Sequence, residues 1–266
     1  MWRKTRQVVE SWRNATWLKG SSSRGNNVHV PRVIAFFGPD GAGKSTLAEF
    51  LVSFLRNRGS RVKRAWVRST HTFSYLLWML FYKLNLCDDR SGILKKTRAG
   101  FAVSYLNESQ YGAVSPITMS PPILRGFVSR WIWATIEVVS IVPVVVLQVY
   151  LPLLLGRVVV AERFVVDSVA SIAYFLGDEG FAEGWHARFL LRLVPSGTVF
   201  VFVDADYGTI LSRRQEVAGP REYTEFHRRL YKKLAVVVGA VYVDTSKLSI
   251  QEANHRILGF VGKRMG

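Results

Sequence analysis

Along most of the chain, short β-branched runs alternate with stretches whose apolar residues recur every three or four positions. Val33, Ile34, Ala35, Phe36 and Phe37 form the first run, which stops at Gly38. The next stretch carries Leu47, Phe50, Leu51, Phe54 and Leu55 at helical spacing, so it predicts a helix over 44–57, closed by Gly59. Further runs lie at 61–67, 157–161, 198–203 and 240–243. Near-continuous Val and Phe, rather than alternation, is the pattern of strands covered on both faces. Five such strands separated by helices predict an α/β fold: a five-stranded parallel, doubly wound sheet with helices on both faces.

About ninety residues separate the second and third runs, far more than a crossover needs. This insertion, 72–156, is expected to hold helices of its own, punctuated by Gly92, Gly100, Pro116, Pro121 and Pro122. Its end, 131–155, is apolar over a length that can cross a bilayer. Glu137, Ser140, Pro143, Gln148 and Pro152 interrupt it, and a central charge costs about 3 kcal/mol in a membrane. A helix buried in an α/β core is also apolar all round. Two readings stay open: a buried or surface-docked helix, and a helix in contact with a membrane.

Ahead of the first strand, 1–30 reads as an arm and linker. Trp2, Val9 and Trp12 fall at helical spacing among Arg3, Lys4, Arg6, Arg13 and Lys19, and a Gly/Ser/Asn linker follows at 20–27. Without a continuous apolar core, 1–19 is not a secretory signal. A solvated arm and an arm lying on a membrane surface both fit. The remainder, 31–266, reads as one domain.

The net charge of +17 calls for anionic partners. The chain has no zinc-finger spacing, basic leucine-zipper register or RNA-recognition aromatic motif, so no specific nucleic acid is expected. Nucleotide phosphates and anionic lipid are the other candidates. Cys87 is the only cysteine, which rules out a disulfide within the chain and fits a reducing, cytoplasmic setting.

The first strand and helix flank Gly38-Pro39-Asp40-Gly41-Ala42-Gly43-Lys44-Ser45, a match to G-x-x-x-x-G-K-[ST] that runs on into Thr46. Such a loop turns backbone N–H groups onto phosphate oxygens, and Gly38, Gly41 and Gly43 allow the close approach. Lys44 supplies a charge for the β- and γ-phosphates, the Ser45 hydroxyl is placed to ligate Mg2+, and the helix adds its positive end. ATP and Mg2+ are the expected ligands. The guanine-reading N-K-x-D of GTPases is missing, as is the paired-acid strand end of motor and transport ATPases.

Residues 36–46 resemble the G-x-D-G-A-G-K-S-T segment of the thymidylate kinase family of P-loop nucleoside monophosphate kinases. Residues 151–164, an apolar helix end, Gly156, a strand and then Glu162-Arg163-Phe164, are similar to that family's D-R-[YFH] region, with Glu162 in place of Asp. The run 201–206, with Arg213, Arg214, Arg221 and Glu222, resembles its pre-lid strand and basic lid; Tyr231 and 243–246 also fit. The resemblance covers about 30–70 and 150–262. It implies a P-loop NTPase fold with a lid near 206–226 and ATP-dependent phosphoryl transfer to a nucleoside monophosphate, dTMP to dTDP first. Such kinases often form homodimers.

Two departures bear on the acceptor. The family's R-E-P-G-G-T is here Arg68-Ser69-Thr70-His71, and its Ser and Tyr-Gln are here Asp167, Ser171 and Ile172. A different small phosphate or sugar acceptor therefore stays open, as does a membrane-associated ATP-binding regulatory protein. The expected roles follow the chemistry of phosphoryl transfer, which needs positioning and charge neutralisation. Lys44 holds the γ-phosphate; Arg213, Arg214 and Arg221 close over it from the lid. Arg163, just past the third strand, and Arg68, at the end of the second, clamp the acceptor phosphate. Glu162 orients Mg2+ through water or pairs with an Arg. By resemblance, Asp40 faces the acceptor sugar; Asp167 does likewise or serves its helix N-terminus.

Overall fold

A computed structural model describes residues 32–67, 127–213 and 221–263, together with 94–97, 100–103 and positions 74, 76, 77 and 80. The arm at 1–30, Arg68, Arg214 and the part of the lid at 214–220 lie outside the described residues. The five expected strands are present as β1 (Val33–Phe37), β2 (Val62–Trp66), β5 (Val158–Arg163), β6 (Val199–Asp204) and β7 (Val241–Asp244). They form one sheet in the order β2-β5-β1-β6-β7, and every neighbouring pair is parallel.

Strand alternation divides the apolar residues between two cores. Val33, Ala35 and Phe37 of β1 face one side with Val159 and Ala161 of β5 and Phe200 and Phe202 of β6. Ile34 and Phe36 face the other with Val160, Val199, Val201 and Val203. Helices α1 (Lys44–Asn57), α6 (Tyr207–Arg213) and α8 (Ile250–Lys263) cover the second side through residues such as Leu51, Ile210 and Ile257. The first side is covered by α2 (Phe127–Val145), α4 (Val165–Leu176), α5 (Trp185–Arg192) and α7 (Arg221–Val238). This is an α/β architecture with a wholly parallel five-stranded sheet, compatible with a P-loop fold. At the sheet edge, Lys63 and Arg64 of β2 are exposed, which is how an edge strand tolerates charge.

Two features of the chain differ from the pattern reading. The insertion, expected to be helical, contains a two-stranded antiparallel hairpin, β3 (Leu94–Thr97) and β4 (Gly100–Val103). Its strands are too short for periodicity to reveal. The third strand of the sheet, expected to end at residue 161, continues through Glu162 and Arg163. Trp66 still pairs with Arg163 beyond an irregularity at Ala65/Trp66, so the ladder carries both charged residues to the rim.

The apolar segment ahead of β5 is one unbroken helical rod. Helix α2 passes into a π turn (Val146–Tyr150) and then α3 (Leu151–Leu154). Pro152 lacks the amide that would bond to the Gln148 carbonyl in an α-helix, and the turn before it is wound more widely. The span Val128–Leu154 is long and apolar enough to cross a membrane by length and composition, and half of its most apolar window is buried. On the same side of the sheet, His227 of α7 is buried among Tyr174, Tyr223, Phe226 and Tyr231.

Burial holds the His227 ring neutral, down to about 4 from 6.5. The unfolded chain takes up this proton first. The contribution to stability is therefore full above pH 6.5 and is lost as pH falls to 4. Urea midpoints of the wild type are expected to drop between pH 7.5 and 5, and His227→Phe should remove up to roughly 2 kcal/mol of that pH dependence. Identical slopes for the two proteins would refute it.

Candidate functional site

The loop between β1 and α1 has a shape that only glycine permits. Gly38, Gly41 and Gly43 have φ of 145°, 79° and 92°. A Cβ on Gly38 would lie 1.9 Å from the Val203 carbonyl oxygen, because the loop turns directly against the end of β6. At Gly41 the obstacle is the Ile210 side chain, at 2.8 Å. Gly43 has open space around it and is left-handed to cap α1. The result is a tight bend feeding the first turn of α1, with Ser45 and Thr46 exposed beside it.

Lys44 is buried under this bend. Its Nζ donates to the Gly38 and Pro39 carbonyls at 2.6 and 2.7 Å and lies 3.5 Å from the Asp40 carboxylate. Burial, helped by the nearby Arg163 charge, pulls the ammonium down to about 8 despite Asp40. The charges alternate from there. Asp40 pairs with Arg163, and Arg163 reaches Asp167 at 3.3 Å. Burial alone would lower the Arg163 guanidinium, but the two carboxylates more than offset it and raise it above its usual value.

Asp167 sits behind Arg163 with both carboxylate oxygens engaged. It accepts from the Phe164 amide at 3.1 Å, at the start of α4, and from the Tyr231 hydroxyl at 3.2 Å. The helix N-terminal role expected for it is therefore present, and its carboxylate also fixes Arg163. Glu162 pairs with Arg64 of the edge strand, the partner role that the sequence left open.

Asp40, Lys44, Glu162 and Arg163 line one cleft of about 420 Å3 at the carboxyl ends of the strands. Its polar lining includes Asp40 to Thr46, Glu162, Arg163, Arg213 and Thr245, and its apolar lining includes Leu248, Ile250 and Ala253. Arg213 donates to the Thr245 hydroxyl at 3.0 Å and to its carbonyl at 2.5 Å. The Thr245 hydroxyl in turn donates to the Ala42 carbonyl at 2.9 Å, tying β7 to the loop. Thr245, Leu248, Ile250, Ala253 and Trp66 were assigned no role from sequence. Two signals point to Thr245: it falls within 243–246, part of the resemblance, and it directly follows a strand on the edge where ligands bind in open α/β sheets.

Arg221 is exposed at the start of α7 and is not part of the cleft lining, unlike Arg213. Among the described residues, no group of three His, Cys, Asp or Glu side chains is placed to hold a metal alone. A magnesium site needs less, one or two protein oxygens with the rest from phosphate and water. The exposed Ser45 hydroxyl and Glu162, on the same cleft, are such a donor set. Compared with known proteins, the chain matches no family model and no curated protein.

Proposed function

We propose that this protein is an ATP-dependent phosphotransferase whose acceptor is a nucleoside monophosphate, with dTMP the first candidate. The observation that carries the reading is the glycine bend with buried Lys44 beneath it. It lies beside β1, where the strand order changes direction, at the carboxyl edge of a parallel sheet. Backbone N–H groups at a helix start and a fixed ammonium form a ready anion site.

On this reading the loop amides and Lys44 bind the triphosphate, and the apolar wall of Leu248, Ile250 and Ala253 receives the donor base. Arg213, held by Thr245 on the same cleft, neutralises charge developing on the transferred group. Arg163 binds the acceptor phosphate, and Asp40 and Asp167 keep its fork in one orientation. When bound, Mg2+ supplies charge neutralisation at the β- and γ-phosphates, with Ser45 and Glu162 as its protein-side contacts.

A second reading, a sugar or another small phosphate as acceptor, is favoured by Asp167. A buried carboxylate stands there where the resembling family has Ser. Coupled ADP release with ATP and dTMP, dUMP, UMP, CMP or AMP separates the two. Acceptor-dependent release with dTMP is expected; silence with all five, with ATP binding intact, would rule out the first reading and leave the second.

A further inference from the structure

The long helical rod α2–α3 is inverted relative to a helix on a water-facing surface. Every exposed position from 128 to 155 is aliphatic or tyrosine. Val128, Ile132, Val139, Val146, Tyr150 and Leu154 recur at steps of four or seven, on one face about 40 Å long. Val128 is 69% exposed and Leu154 84%. The polar residues point the other way. Thr135 meets His186 at 2.9 Å, Glu137 and Ser140 meet Ser74, and Gln148 accepts from the Trp66 amide at 2.8 Å. Arg130 reaches the Leu176 carbonyl. The residues that seemed to argue against membrane contact thus serve the interior and leave the outer face uninterrupted.

A water-facing helix places its charges outward, and an apolar face of this extent marks an interaction surface. Charge identifies the occupant. Three exposed arginines lie at or beside the turn that joins the Leu154 end of the rod to β5. The Arg32 guanidinium donates to the Leu153 carbonyl at 2.5 Å, Arg61 accepts from the Val158 amide through its carbonyl, and Arg157 precedes β5. A second copy would carry the same arginines on a chain whose net charge is +17, whereas anionic headgroups complement them. We propose that this face docks on an anionic lipid surface. The rod lies parallel to the membrane, its aliphatic side chains at the acyl boundary and the arginines among the headgroups. Its inner half packs on α4 and α5, so it lies on the membrane rather than crossing it.

Flotation of the full chain with phosphatidylcholine vesicles, with and without phosphatidylglycerol, tests this. The wild type is expected to float with the anionic vesicles and to be released by high salt. Val139→Glu/Leu147→Glu/Leu154→Glu should lower the bound fraction at least tenfold while keeping the thermal midpoint. If that triple variant loses its unfolding transition, the single Leu154→Glu is read instead, with at least a threefold loss expected. Wild type that fails to float, equal binding to neutral vesicles, or unchanged binding by the folded variants would each overturn the proposal. So would a wild-type dimer that the variants convert to monomer without any vesicle binding, since the face would then belong to a second copy.

Discussion

Lys44→Ala is expected to reduce phosphoryl transfer by about a thousandfold and ATP affinity by at least about tenfold, with the fold intact. The ammonium is the buried positive charge held under the bend, fixed by two loop carbonyls and 3.5 Å from Asp40. Such a charge, aimed in advance at the phosphates, is costly to replace because water cannot rearrange to do its work. Asp40 keeps Arg163 as its partner in the variant, so no buried carboxylate is stranded. Lys44→Arg is not expected to restore activity, since a planar fork does not fit a space shaped for a compact ammonium. Calorimetric titration with ATP and steady-state ADP release check both halves. Unchanged affinity and turnover would remove the basis for the proposed function.

The second large effect is expected at Gly38. Gly38→Ala places a methyl group 1.9 Å from the Val203 carbonyl, a backbone atom that cannot swing aside, at a φ of 145°. Backbone strain of this kind costs about 1–3 kcal/mol, and parting β1 from β6 adds to it. A total loss of at least about 3 kcal/mol in urea unfolding is expected, together with loss of ATP binding, because the bend is the cradle. Gly43→Ala is the internal comparison. Nothing lies within 4 Å there, so only the strain of a φ of 92° remains, about 1–2 kcal/mol. Equal effects at the two sites would show that contact with β6 does not define the loop.

Much of this arrangement was legible in the residues. The strand at 33–37 and the helix at 44–57 have the expected bounds, because an apolar run buried on both faces and a 3.6-residue period are local signals. The phosphate-loop spacing was legible for the same reason, since its glycines answer to backbone angles within eight residues. The partners of Glu162 and Asp167 were not. Arg64 lies 98 positions from Glu162, and Tyr231 lies 64 from Asp167; no period in the chain connects them. The short hairpin at 94–103 was missed because four-residue strands carry too little pattern.

The long apolar segment marks the boundary most clearly. The residues alone established that 131–155 is helical and apolar, since length and composition are sums over the chain. They left open which side faces outward, because that depends on what lies beside the rod. The positions of Ser74, His186 and the Trp66 amide decided it, drawing the polar side chains inward and leaving the aliphatic ones outside. Local periodicity and glycine geometry are written in the order of residues. The pairing of charges across strands and the orientation of a helix of mixed character arise only when distant segments meet.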